Sequence, residues 1–499
     1  MAKRKKKNAV TLILLLFALA GLIGSYLWYT NREPASEKEA ENGAIALSTI
    51  ETEKINSLHY IYEDTDLTFI KEGDVWIAQE DRNRPINQAR VKNMIGVIDD
   101  ISATRVIAEK AEKLEDYGLK DPVSFLQAVL SDGTKVTLQI GNRAVTGEGY
   151  YALVNEDSKV YLLPVSYGSG LKFNQTEMTE VAEGPAIEAG NIRRISVNNR
   201  DTEDLELVYK EDNGLDISGS TMFPWYLVKP YTQEYTADSD EVATLREKYT
   251  SIDYIKCVDY NPGDLSKYGL DNPVSVVELN YLETRKEKLD KPEKDPDTGE
   301  EIKEKTYYDP KQYKFSVGGL DENNNYYILI DGDTAVYTMD KDTVDAMIKV
   351  DAFSVMNKFV AIPNIDMVDR IEIEIEGVQY TISLKRTTGK NEAGEEEVTT
   401  TYFYNGNEVK ERSFKEFYQI IIGAKYDAPI KGEVNEKGRT PYLTITYHLN
   451  DEKGTVLTTS YLPYDESFYI IKNIETRFFA DKRKIDDIVK AVIELGTTE

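Results

Sequence analysis

The chain has 499 residues and a formal net charge of −28, with 88 acidic against 60 basic residues. That length holds about three domains of ordinary size, and a charge of that sign repels nucleic acid and anionic headgroups, which excludes a nucleic-acid-binding role. One cysteine, Cys257, excludes an intrachain disulfide, and two histidines, His59 and His448, are too few for a His-based zinc site.

Residues 1–8 form a basic tail. Residues 9–29 run without a charge and end in Trp28 and Tyr29. About 20 apolar residues span a bilayer, aromatic rings settle at its interface, and basic clusters stay on the cytoplasmic side. The order predicts a transmembrane helix over 9–29, a cytoplasmic N-terminus, and a single-pass cell-membrane protein with its bulk extracytoplasmic. A signal peptide cleaved near Ala20 is the rival reading. No cysteine stands near the apolar run, which excludes a lipoprotein anchor. Residues 30–53 are polar and read as a stalk.

A first repeat is expected over 54–185. Trp76 marks a strand at 74–79, and Val91, Ile95, Ile98 and Ile101 recur at helical spacing after it. Then comes "LEDYGLKDPV" at 114–123. Gly118 suits a left-handed helix stop, where a side chain is strained. Leu119 then closes on Leu114 in a Schellman clasp, Tyr117 precedes the glycine, and Pro122 forbids further helix. Two hairpins follow, the first around the 131–134 turn "SDGT".

A second repeat, 186–362, copies this order. Trp225 marks its strand, and Val242, Leu245, Tyr249 and Ile252 mark its helix. "LSKYGLDNPV" at 265–274 supplies Leu265, Tyr268, Gly269, Leu270 and Pro273 at matching positions. Fixed-order self-similarity of this kind is the signature of tandem units. A charged insertion at 283–310 replaces a short turn and reads as a solvated hairpin extension, or as an arm that touches a partner.

A diverged third repeat is expected over 363–499. Ser413 and Glu416 read as a capping box for a helix bearing Phe414, Phe417, Tyr418 and Ile421. Residues 387–399 read as a mobile loop, and "KYDAPI" at 425–430 as a remnant of the Y-G-L phrase. A helix with Ile485, Ile488, Val489 and Val492 closes the chain. The fold class expected is α+β: an N-terminal transmembrane helix, then three related antiparallel sheets, each covered by one or two helices.

Candidate chemistry is sparse. Ser169 and Lys172 match an S-x-x-K start without the companion K-T-G. Asp321–Asn325 looks like a calcium loop but has Tyr326 where glycine is needed and Gly332 where a glutamate is needed. Cys257, among apolar neighbours, reads as a small buried hydrophobe. No catalytic, cofactor or metal residue is assigned, and the chain is read as a non-enzyme.

The tryptophan strand, the Y-G-L-x-x-P turn and the strands after it resemble a bacterial domain family labelled only as of unknown function, over roughly residues 54–364 and more weakly beyond. Members of that family are typically membrane-anchored, and their genes often lie beside gliding-motility-type ABC transporters. The resemblance implies an anchored extracytoplasmic scaffold or accessory subunit, with the transporter's permease and ATPase as partners and the bilayer reached through the N-terminal helix. A cell-wall glycan or peptide binder using exposed tyrosines is the alternative, and an envelope hydrolase with two facing carboxylates is third.

Overall fold

The computed structural model describes residues 43–497 apart from 111, 156, 212–213, 217, 295–298, 300, 391–394, 433 and 474. Strands dominate it. Four antiparallel sheets hold two, eight, nine and nine strands. The class is therefore mainly β, which corrects the α+β expectation. The helices are short: Gln88–Ile98, Ser239–Glu247, Lys341–Ile348, Glu411–Ile422 and Lys482–Leu495 are the longest described. Among the described residues no helix is long and apolar enough to cross a membrane. The helix-anchored, single-pass placement is withdrawn on that finding. Residues 9–29, on which it rested, lie outside the described residues.

The chain divides into two compact units, one ending at Val181 and one starting at Ala182. The first carries the eight-stranded sheet and a small sheet pairing Ile45–Thr49 with Asp100–Ala103. The second carries both nine-stranded sheets.

All three large sheets are wound alike. A hairpin opens each: Ile55–Tyr62 with Thr65–Glu72, Ile192–Asn199 with Leu205–Tyr209, Val368–Ile375 with Val378–Lys390. A third strand pairs outside it, and in the first two sheets this is the tryptophan strand, Val75–Ala78 or Trp225–Lys229. The chain then crosses the sheet through a helix to lay a strand on the far edge. Four strands meander from the opening strand back to that edge. Alternation decides which face is buried: Leu58 and Tyr60, Leu126 and Ala128, and Val136 and Leu138 point into the first core. Val91, Met94 and Ile98 of the Gln88–Ile98 helix enter the same core.

Several local expectations are corrected. Ile101 belongs to a strand, because the helix stops at Ile98 and the chain turns to pair with Ile45–Thr49. Tyr249 and Ile252 are buried but lie beyond the Ser239–Glu247 helix. Ser413 and Glu416 stand inside their helix, whose N-cap is Lys410 without a side-chain cap, so no capping box forms. "KYDAPI" holds the far-edge strand Ala428–Pro429, paired with Phe478–Asp481, and so corresponds to the strand before the Y-G-L turn. Within the supposed loop at 387–399, the described residues 387–390 and 396–399 are ladder: Thr387 pairs with Thr399 and Lys390 with Glu396.

Candidate functional site

Where the repeated turns stand is clear. Leu114–Tyr117 and Ser266–Tyr268 are single helical turns, closed by Gly118 at φ +67° and Gly269 at φ +66°. The Leu119 amide donates to the Leu114 carbonyl at 3.0 Å, and the Leu270 amide to the Leu265 carbonyl at 3.1 Å. Pro122 and Pro273 follow each turn, just before the strands Ser124–Leu130 and Ser275–Lys294. Tyr117 meets Tyr151 edge to face at 5.1 Å, and Tyr268 meets Tyr327 in the same way at 5.0 Å. The Tyr268 hydroxyl also donates to Asp259 at 2.5 Å. These residues pin a turn to a sheet; they build no reactive centre. Trp76 and Trp225 are buried, and the Gln88 side chain holds the backbone of Trp76, accepting from its amide at 2.9 Å and donating to its carbonyl at 2.8 Å.

One pair of glycines has a role that tight turns do not explain. A Cβ on Gly141 would lie 2.3 Å from the Tyr117 carbonyl oxygen, and one on Gly318 would lie 2.2 Å from that of Tyr268. The strand gives up a side chain so that the turn's backbone can rest on it. The repeat of "IG" and "VG" after the same phrase is the sequence signal for this contact.

A cleft of 640 Å³ lies in the second unit. That is within the range of small-ligand sites, about 300–1,000 Å³. Three pieces of backbone form it: the loop at 219–222, the connection between the two nine-stranded sheets at 359–367, and the C-terminal half of Glu411–Ile422. The loop is held by Asp216, which accepts from the Ser218 amide and hydroxyl at 2.7 Å each and from the Ser220 amide at 3.0 Å. Burial pushes the Asp216 carboxyl above its ordinary range. The Ile362 amide donates to Ser218, and the Tyr418 hydroxyl to the Pro363 carbonyl at 2.6 Å, so loop, connection and helix are tied together. Met222, 77% exposed, stands at the mouth. Lys415 lines one side and is already paired with Glu411 at 2.6 Å. The lining contains no histidine, cysteine or carboxylate; Ile362, Pro363, Ile365, Met367 and Ile422 make much of it apolar, which suits an apolar body.

Elsewhere the sequence candidates separate. Ser169 donates to the carbonyls of Val165 and Ser166, while Lys172 donates to the Tyr150 hydroxyl, so the two make no serine–lysine pair. Asp321 accepts from the amides of Asn323 and Asn325 and closes a turn. His59 faces Asp66 at 2.9 Å and His448 faces Glu372 at 3.1 Å, on different sheets. Cys257 is buried. Among the described residues no group of three or more His, Cys, Asp or Glu side chains is placed to hold a metal ion.

Comparison with known families matches the description Domain of unknown function (DUF4340) twice, over residues 76–224 and 225–428. No curated protein and no solved structure matches the chain. Both matched segments open at a tryptophan strand, so the two copies are in phase with each other but start partway through a sheet. Together they span more than half of the sequence, and the chain belongs to the Domain of unknown function (DUF4340) family, in two tandem copies.

Proposed function

We propose that the chain is a non-catalytic scaffold or accessory subunit of a multiprotein complex, and that this complex is an ABC transporter whose permease and ATPase are its neighbours. The observation that carries the reading is the ribbon grown from the second large sheet. Its strands, Ser275–Lys294 and Glu301–Leu320, are twenty residues each. Their inner parts pair with the sheet on both sides, but Ser275–Lys294 leaves its neighbour at Tyr281 and Glu301–Leu320 reaches its own only from Phe315. Beyond, the two strands pair only with each other, through Lys288 and Glu304. This outer part is charged and largely exposed and encloses no core. An ordered ladder without a core of its own, with both edges open, is suited to contact with another chain.

The wall-glycan alternative draws less support. Tyr60, Tyr235, Tyr249, Tyr337, Tyr426 and Tyr461 are fully buried, as packing residues are; Tyr308 and Tyr464 are exposed, but one stands on the ribbon and the other after Val456–Pro463 of the third large sheet.

The test is crosslinking and affinity purification of the full chain from its own cells. The permease and ATPase should be recovered with the intact chain and lost or reduced when residues 283–310 are replaced by a two-residue turn. That deletion should leave the unfolding midpoint within about 2 °C, because surface changes away from a core alter stability little. Recovery of self-contacts or wall glycan alone would sink the proposal.

A further inference from the structure

In a chain where acids outnumber bases, arginines are expected to find carboxylates. Arg194 does: it pairs with Glu206 at 2.8 Å and with Glu278. Arg193, its neighbour on the strand Ile192–Asn199, faces the other side of the sheet. Arg246, from the last turn of Ser239–Glu247, lies on Trp225, the ring that meets the Tyr209 ring beneath Arg193. Among the described residues neither Arg193 nor Arg246 forms an ion pair.

Both guanidinium groups lie on aromatic rings. Arg193 sits 4.9 Å from the Tyr209 centroid and Arg246 sits 5.4 Å from that of Trp225. The two rings meet edge to face at 5.6 Å. Arg193 is further fixed by donating to the carbonyls of Gly190 at 2.8 Å and Ile192 at 3.1 Å. The Nε atoms of both arginines are buried and donate to nothing. Two cations are thus held on a pair of touching rings, oriented by rings and backbone.

We propose that Arg193 and Arg246 form a binding site for an oxyanion, the phosphate or carboxylate group of a ligand. Guanidinium groups do not shed their proton, so their mutual repulsion cannot be relieved by titration. Burial, and then the charge of Arg193, pulls the Arg246 guanidinium below its ordinary range; Glu247 offsets this in part. An anion offsets the repulsion and accepts from the outer N–H groups of the guanidinium forks. Planar guanidinium forks match the paired oxygens of carboxylate and phosphate, and they do so with charge-assisted hydrogen bonds. The rings beneath hold the forks in place, which lowers the entropy lost on binding. The site lies on the opening strand Ile192–Asn199 and the helix Ser239–Glu247 of the second repeat, against Trp225. In the first repeat Asn56 follows Ile55 where Arg193 follows Ile192, so the arginine pair belongs to the second copy alone.

The test is titration calorimetry of the full chain with inorganic phosphate and, separately, with acetate, in buffer of low ionic strength so that screening does not mask the contact. Saturable binding is expected with at least one anion. Arg193→Gln and Arg246→Gln should each weaken it about tenfold or more, as loss of a charge-assisted bidentate contact does. Arg412→Gln removes an exposed arginine paired with Glu416 and should leave binding unchanged. Tighter binding of phosphate assigns the site to phosphate-bearing ligands; tighter binding of acetate assigns it to carboxylate-bearing ones. If Arg246→Gln does not fold, Arg246→Lys keeps the charge but loses the fork, and weaker binding is again expected. No saturable binding of either anion, or folded Arg193 and Arg246 variants that bind as the parent does, overturns the proposal.

Discussion

At the scale of single residues, the glycines separate backbone freedom from backbone contact. Gly118 and Gly269 are needed for a positive φ, whereas Gly141 and Gly318 are needed for the empty space above them. The dipeptide Gly318-Gly319 isolates the second cause. A Cβ on Gly318 would press on the Tyr268 carbonyl at 2.2 Å, but one on Gly319 would meet it at an ordinary 3.7 Å. Gly318→Ala should therefore cost about 2 kcal/mol, the scale of overpacking against an atom that cannot rotate away. Gly319→Ala should be neutral or gain a few tenths of a kcal/mol, because it only restrains the unfolded chain. Urea unfolding of the two variants checks this, and equal losses would remove the distinction. The sequence shows the first cause directly, since a glycine four residues after a leucine and just before another has few other readings. The second is legible only by comparing the two copies, because the carbonyl that needs the space comes from a residue more than twenty positions away, brought there by sheet pairing.

At the scale of elements, strands were easier to read than helix limits. Alternation along "LHYIY" or "FLQAVL" has one physical meaning, a sheet with one buried face. Apolar spacing does not say where a helix ends: Ile101, Tyr249 and Ile252 keep the helical interval although the backbone has already left the helix, because a buried strand or loop wants the same side chains. Residues 387–390 and 396–399 misled in the opposite direction. A ladder is made by backbone groups, so a polar, threonine-rich ribbon carries no apolar signature. Helix starts are marked by side chains that accept from backbone amides, as Asn87, Asp238, Asp340 and Asp481 do. Asp481 gives a pH prediction. Hydrogen bonds from Arg483 lower its carboxyl from 3.8 to about 2. A carboxyl depressed on folding stabilises fully above its unfolded value and loses that effect as pH falls from about 4 towards 2. Asp481→Asn should therefore lower stability at neutral pH, and the difference from the parent should shrink across that window. A difference that stays constant from pH 6 to pH 2 would assign the loss to packing instead.

At the scale of the whole molecule, the unit of sequence similarity and the unit of folding differ. The second family match begins at residue 225 and ends at 428. Its start separates Leu205–Tyr209 from Trp225–Lys229, strands that pair directly through Val208 and Tyr226. Its end leaves the third large sheet without Leu443–Leu449 and the strands after it. The compact unit from Ala182 onward keeps both sheets intact and shares one buried cluster that runs from Ile187 to Leu495. Backbone bonds join its halves: the Val360 amide donates to Ala424 at 3.0 Å and the Tyr426 amide to Lys358 at 2.7 Å. Tyr235, from the second sheet, packs edge to face on Phe478, from the third, at 5.4 Å. A fragment of residues 182–499 should accordingly unfold in one cooperative urea transition. A fragment of residues 225–428 should show none, because it exposes the buried faces of two broken sheets, and unpaired strands with apolar faces associate rather than fold. Circular dichroism and sedimentation of both fragments decide the matter: a cooperative, monomeric 225–428 fragment would make the sequence repeat itself the folding unit, and the shared core between the two nine-stranded sheets a later addition to it.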